Sequence, residues 1–270
     1  FFKQKTAYEI PKRDWSSDVC SSDLYFESLH RSANYQGDAE KFGVAAAILL
    51  GDLALVWADR LLIESGISDS QIIASLPLFT EMREELMSGQ YLDVLEGALA
   101  TASIERSLKI ARYKSGKYSI ERPLHFGAAL AGGSAGILAS YSEYGLPLGE
   151  AFQLRDDLLG VFGDPKITGK PAGDDLREGK RTVLIAMAVE SSTDKAREEL
   201  GNSLGRSDLS LSQIDSLREI ITKSGAVERC EQFIAELRDK ALLALQNSEI
   251  SSTIRPMLEE MAHTATARKL

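Results

Sequence analysis

Cysteine and histidine are scarce. The 270 residues contain two cysteines, Cys20 and Cys230, and three histidines. Two cysteines exclude a disulfide scaffold and fit a reducing, cytoplasmic setting. His125 and His263 stand alone and read as structural or surface residues. Basic charge is also in deficit, with a formal net charge of −9 and an isoelectric point near 5.0. A nucleic-acid partner needs a basic face to meet the phosphate backbone, so nucleic acid is excluded. Long apolar runs are missing too. The longest, Val44 to Trp57, is interrupted by Gly51 and Asp52. It falls short of the roughly 18 residues needed to cross a bilayer, so no membrane span is expected. No stretch alternates as a strand would, and no segment repeats. With 44% hydrophobic residues there is enough apolar material for a sizeable core. The class expected is therefore all-α: a single helical bundle of about eight to ten helices.

Phe1 to Leu24 shows neither helical nor strand periodicity, and has no signal-peptide apolar region. Its KQKTAYEI and WSSDVCSSDL stretches resemble a translated sequencing adapter. The expected division is 1–24 as an artefact and 25–270 as one domain.

Tyr25 to Gln36 reads as a polar lead-in. Asp38 is a good N-cap for a helix from Ala39 to Glu64, apolar nearly all round and so expected at the centre of a bundle. Ser68 opens a helix to about Leu99 with Pro77 inside it, and Thr101 caps another to about Tyr113. A helix break is expected at Lys114-Ser115-Gly116, where an ammonium, a hydroxyl and free backbone donors suit a phosphate. The next helix is expected to stop at Gly145 before Pro147. Further helices are expected at Thr182–Glu190, Leu211–Lys223, Ala226–Gln246 and Ile254–Ala267, with Ser191 to Ser212 mostly loop.

The most informative stretch is Phe152 to Lys180, FQLRDDLLGVFGDPKITGKPAGDDLREGK. It opens as a helix that Gly163, Asp164 and Pro165 terminate. Gln153 lies three residues before Asp156 and four before Asp157, so all three share one side of that helix. A charged, Gly-rich loop with Lys166, Lys170 and Lys180 follows. Two adjacent acids most often mark a solvated face. Here they interrupt an apolar helix, where mutual repulsion and low helix propensity both cost stability. Carboxylates opposite lysines also suit a phosphate held through a hard cation. Mg²⁺ takes oxygen ligands, typically one or two carboxylates plus substrate phosphates.

The run Phe152-Gln153-x-x-Asp156-Asp157, then Phe162-Gly163-Asp164-Pro165, Thr168-Gly169-Lys170 and Lys180, resembles the second aspartate-rich motif of trans-polyprenyl diphosphate synthases. The family's usual third aspartate is Gly160 here. The resemblance extends from Tyr25 to about the C-terminus. It covers Gly89-Gln90-x-x-Asp93, whose polar groups line the family's cavity, and Lys114-Ser115, the family's contact for an allylic diphosphate. It implies an isoprenoid synthase-type bundle lacking its first helices. It also implies Mg²⁺-dependent head-to-tail condensation of isopentenyl diphosphate with an allylic diphosphate, such as gives geranylgeranyl diphosphate. Asp156 and Asp157 would be metal ligands. Lys114, Ser115, Gln153, Lys170 and Lys180 would contact the allylic diphosphate or its metals, with Lys114, Gln153 and Lys170 catalytic. Asp175 would orient a lysine. A homodimer is implied for the intact parent.

The family's first motif, Asp-Asp-x-x-Asp followed by an arginine pair, has no counterpart. It should fall just before Tyr25, where Asp14, Asp18 and Asp23 lack the spacing. The expectation is that this chain is inactive while its intact parent is an enzyme. A non-catalytic partner subunit and a terpene cyclase of the same fold are the competing readings.

Overall fold

The structure, a computed structural model, describes residues 22–99, 101–165 and 173–267. Every regular element among these residues is a helix, with no strand among them. The chain divides by contacts into two units, Phe1–Ser68 and Asp69–Leu270.

In the first unit, α1 (Ser22–Ser32) packs against α2 (Ala39–Ile63). Helix α1 was expected as a lead-in from Tyr25. It begins earlier, with Asp23 in its first turn and an Arg31–Glu27 pair one turn apart, both favourable to a helix. The helices approach closely because Gly43 has no side chain. A Cβ there would lie 3.1 Å from the Glu27 nitrogen and collide with the Asp23 carbonyl. His30 is buried at this contact, with the Phe42 ring centroid 5.1 Å away. Asp38 caps α2 as expected, accepting from the backbone nitrogens of Glu40 and Lys41. Within this unit Ile48, Leu49, Val56, Trp57 and Leu61 of α2 are exposed. The eleven residues of α1 cover only one stripe of a helix that is apolar on all sides. As expected, α2 runs continuously through Gly51 and Asp52. It is the one helix among the described residues long and apolar enough to cross a bilayer.

The second unit opens with α3 (Asp69–Leu99), which contains Pro77. Helix α4 (Ile104–Ile110) is capped by Ser103 rather than Thr101. The Thr101 hydroxyl donates instead to Glu96, which also pairs with Arg106 at 2.8 Å. Residues Ala111–Glu121 form a π-helix, so Lys114-Ser115-Gly116 sits inside a helix and not at a break. Long π-helices are rare and tend to occur at functional sites. Two glycine contacts accompany this one. A Cβ on Gly89 of α3 would reach the Lys114 nitrogen at 2.5 Å, and one on Gly149 would lie 2.6 Å from the Gly116 carbonyl oxygen.

Helix α5 (Arg122–Leu130) ends at a turn with Gly132 in the left-handed region. Helix α6 (Ala135–Phe162), capped by Ser134, then runs unbroken through Gly145 and Pro147. The stop expected there does not occur. A proline inside a helix costs about 3 kcal/mol. Tyr144 and Leu148 are fully buried, each contributing about 1.5–3 kcal/mol, and the Tyr144 hydroxyl donates to the Leu258 carbonyl at 2.7 Å. Packing thus outweighs the local cost. The remaining helices are α7 (Asp174–Glu178), α8 (Val183–Ser191), α9 (Asp194–Ser203), α10 (Leu211–Lys223), α11 (Ala226–Gln246) and α12 (Arg255–Thr266). Helix α9 lies in the stretch expected as loop and is capped by Thr193.

Helix α6 is the spine of this unit. Its first half joins α11 and α12 in one apolar cluster around Tyr144, Leu148 and Leu245. Its second half joins α8, α10 and α11 in another around Leu154, Leu158, Leu184 and Ile221. Arg155 fixes it laterally, bonding Glu231 through both terminal nitrogens at 2.6 and 2.5 Å and the Thr266 carbonyl at 2.9 Å.

Two glycines on long helices should respond oppositely to alanine. G149A overpacks the contact with Gly116 and should destabilise by about 1–3 kcal/mol. G51A meets nothing within 4 Å and should stabilise by about 0.5–1 kcal/mol, the helix-propensity difference. Urea unfolding followed by circular dichroism measures both.

Candidate functional site

The second half of α6 presents Gln153, Asp156 and Asp157 on the side expected from their spacing. The Gln153 amide donates to Asp157 Oδ1 at 2.7 Å. Asp157 is buried among the fully buried side chains of Leu154, Leu158 and Val161. Burial first, then the neighbouring charges of Asp175 and Asp156, push its carboxyl up to about 8, against the smaller opposing effects of the Gln153 hydrogen bond and Lys180.

Beyond α6, two glycines in the left-handed conformation, Gly173 and Gly179, flank the short helix α7. Such backbone suits glycine because it has no Cβ to strain. This turn buries Asp175 and directs Lys180 back onto it. The Lys180 ammonium lies 2.6 Å from Asp175 and 2.8 Å from Glu178. Burial alone would lower Lys180, but the charges and hydrogen bonds of Asp175 and Glu178 outweigh it and hold the ammonium above its ordinary value. Cys230 adjoins this region, its thiol held protonated by burial and by the nearby Asp157.

Lys114, on the π-helix, donates to Asp93 of α3 at 2.6 Å, joining two elements that the sequence separated by twenty-one residues. Gly116 touches Gly149, one turn before Gln153 on α6, so the Lys114-Ser115 turn approaches the same helix. The structure thus links Gln153 with Asp157, Asp175 with Lys180, and Asp93 with Lys114. Lys170 lies outside the described residues, as do Lys166 and Thr168. Asp52 is exposed on α2. Lys117 is committed elsewhere, 2.5 Å from Glu85 and 3.7 Å from Glu121.

Lys117 belongs to a buried charged knot that sequence reasoning missed. Arg122 bonds Glu81 and Glu85, and lies 3.3 Å from His125. The Glu81–Glu85 spacing of one helical turn was the available signal. Burial would raise the Glu85 carboxyl, but hydrogen bonds from Arg122 and Lys117 hold it below its usual range. The knot pins α3 to the π-helix and α5, and so fixes the turn that carries Lys114.

Among the described residues no group of three or more His, Cys, Asp or Glu is arranged to hold a metal ion. Asp156 and Asp157 offer two carboxylates, which suits a cation that takes its remaining ligands from water and substrate phosphate.

An all-helical bundle whose central helix carries paired acids beside a lysine-bearing turn is the architecture of isoprenoid synthases. The chain belongs to the polyprenyl synthetase family, whose family model matches residues 31–221. It is 34% identical over 205 residues to the geranylfarnesyl diphosphate synthase of Aeropyrum pernix, covering 73% of this chain and 63% of that protein. It is 32% identical over 186 residues to the geranylgeranyl diphosphate synthase of Sulfolobus acidocaldarius, covering 68% of this chain and 56% of that protein. The chain thus spans less than two thirds of the length of these two curated relatives. The crystal structure of the geranylgeranyl pyrophosphate synthase of Corynebacterium glutamicum, complexed with isoprenyl diphosphate and magnesium, superposes with a TM-score of 0.88. That match is at 42% identity, over 92% of this chain and 70% of that one.

The buried acid makes stability depend on pH. The folded state holds the Asp157 proton to about pH 8, whereas the unfolded chain releases it near 3.8. Between those values the folded state binds more protons, so stability is highest near pH 4 and falls as pH rises toward 8. D157N keeps the shape and an acceptor for Gln153 but cannot ionise. Thermal melts in metal-free buffer should show D157N gaining on the native chain from pH 5 to pH 8.

Proposed function

We propose that the chain carries the allylic-diphosphate half of a Mg²⁺-dependent prenyltransferase, which condenses isopentenyl diphosphate with an allylic diphosphate head to tail. The observation that supports this most is the buried Asp157 carboxyl. Burial and the neighbouring charges of Asp175 and Asp156 push it upward, against the smaller effect of Lys180. A carboxyl is expensive to bury for structural reasons alone, and oxygen donors in this state fit a hard dication. The magnesium and isoprenyl diphosphate of the Corynebacterium glutamicum structure favour the same reading.

In this reading Asp156 and Asp157 hold Mg²⁺. Magnesium would supply positive charge to the phosphate oxygens as the allylic carbon–oxygen bond breaks. The chain's own groups do the rest. Lys180, Lys114 and Lys170 place ammonium groups against the departing diphosphate, and Ser115 adds a hydroxyl donor. Gln153 orients the Asp157 carboxylate and presents its amide to the substrate. Such fixed donors stabilise charge that develops only as the bond breaks, which lowers the barrier and not merely the binding energy. The double bond of isopentenyl diphosphate attacks the allylic cation, and a proton is lost from the adduct. The product is an allylic diphosphate longer by one isoprene unit, of the geranylgeranyl type.

We read the exposed apolar face of α2 as covered by a second copy in a homodimer. A contiguous apolar face of this kind is a common mark of an interface. The acidic charge and the buried, reduced Cys230 fit a soluble cytoplasmic protein.

Calorimetry with inorganic pyrophosphate tests the site. The native chain should bind pyrophosphate only when Mg²⁺ is present. D157A should weaken that binding about 10- to 100-fold, and K180A about tenfold, the usual loss for a charge-assisted hydrogen bond. Equal affinity with and without Mg²⁺ would overturn the reading. A prenyl-transfer assay with isopentenyl diphosphate and allylic primers then measures whether this chain alone turns over.

A further inference from the structure

The cations near the Lys114 and Lys180 turns are mostly claimed by acids of the protein. Lys114 holds Asp93, and Lys180 holds Asp175 and Glu178. Arg106 holds Glu96 at 2.8 Å, and Arg112 holds Glu150 at 2.5 Å. Arg181, the residue directly after Lys180, differs. Its side chain is half-buried, and the guanidinium Nε is buried with no hydrogen-bond partner. Burial pulls the group below its ordinary value, and the charge of Glu96 opposes that effect. The Glu96 carboxylate is itself occupied, by Arg106 and by the Thr101 hydroxyl.

Arg181 is also fixed in place. The Ser107 hydroxyl of α4 donates to its carbonyl at 2.7 Å. Thr182, the next residue, caps α8 by accepting from the Ile185 nitrogen at 3.3 Å. Glu96, whose charge Arg181 feels, stands three residues after Asp93 and shares its face of α3. That face receives Lys114. Leaving a buried donor unsatisfied costs stability, and a guanidinium used only to fill space would not need to carry that cost.

We infer that Arg181 is a further contact for the diphosphate: an unclaimed guanidinium that meets a phosphate oxyanion without giving up an acid of the protein. This rests on the proposed function and adds a residue to that site. Lys114 and Lys180 must share or release a carboxylate when the anion arrives. Arg181 has none to release, so its donors are ready beforehand. The planar fork of a guanidinium matches two phosphate oxygens at once, which an ammonium cannot do. The bound anion would also satisfy the Nε donor.

R181M tests the contact, because methionine keeps an unbranched stem and removes every donor. In calorimetry with Mg²⁺ and inorganic pyrophosphate, R181M should weaken binding about 10- to 100-fold, the loss of a hydrogen-bonded charge. R181K keeps the charge without the fork and should recover only part of that loss. In melts without ligand, R181M should match the native Tm or exceed it by up to about 4 °C, since an unsatisfied donor is gone. A Tm lowered by R181M would mark the guanidinium as structural and overturn the inference. So would R181M binding pyrophosphate as tightly as the native chain while D157A binds it weakly. A native chain that fails to bind pyrophosphate with Mg²⁺ would overturn the proposed function and this contact with it.

Discussion

Burying the Asp157 carboxyl in the middle of α6 is the constraint on which the site depends. Its neighbours on that helix, Leu154, Leu158 and Val161, are fully buried, so the acid cannot reach solvent by a small movement. Among the described residues, the surroundings meet it with one amide from Gln153, two further acids and the opposing charge of Lys180. The unfavourable charge is held in place because the helix around it is over-determined. Two apolar clusters grip α6 along its length, and Arg155 ties it to α11 and α12. A stable spine lets a few side chains remain in an environment none would choose alone.

The other groups reach α6 through the absence of side chains. Gly89, Gly149 and Gly160 each leave room for a backbone or a carboxylate from another element. Gly89 and Gly149 let the π-helix lie close to α3 and α6, which carries Lys114 toward Asp93 and the Lys114-Ser115 turn toward α6. Gly160 admits Asp175 and so Lys180. Side-chain charge supplies the chemistry, and glycine sets the distances at which it acts.

The helix carrying Gln153, Asp156 and Asp157 was legible from spacing alone, since three and four residues fix a shared face whatever the fold. The cap at Asp38 and the spans of α10 and α11 were equally legible, because they depend on local hydrogen bonds and amphipathic period. The failures were places where packing overrode local preference. Gly145 and Pro147 signal a stop, but burial of Tyr144 and Leu148 carries α6 through it. Lys114-Ser115-Gly116 signals a break, but contacts with Gly89 and Gly149 hold it in a π-helix. The knot of Glu85, Lys117 and Arg122 joins residues on three elements, so no window of sequence displays it.

The sequence by itself determined the all-helical class, the paired acids on one helical face and the lysines that follow them, because helical period and side-chain chemistry are local properties. Only the tertiary structure decided which lysine meets which acid, that Asp157 is buried and reluctant to ionise, and that Gly160 is occupied by Asp175. Burial, electrostatic neighbours and close approach are set by residues distant in the chain, and a sequence read in order does not bring them together.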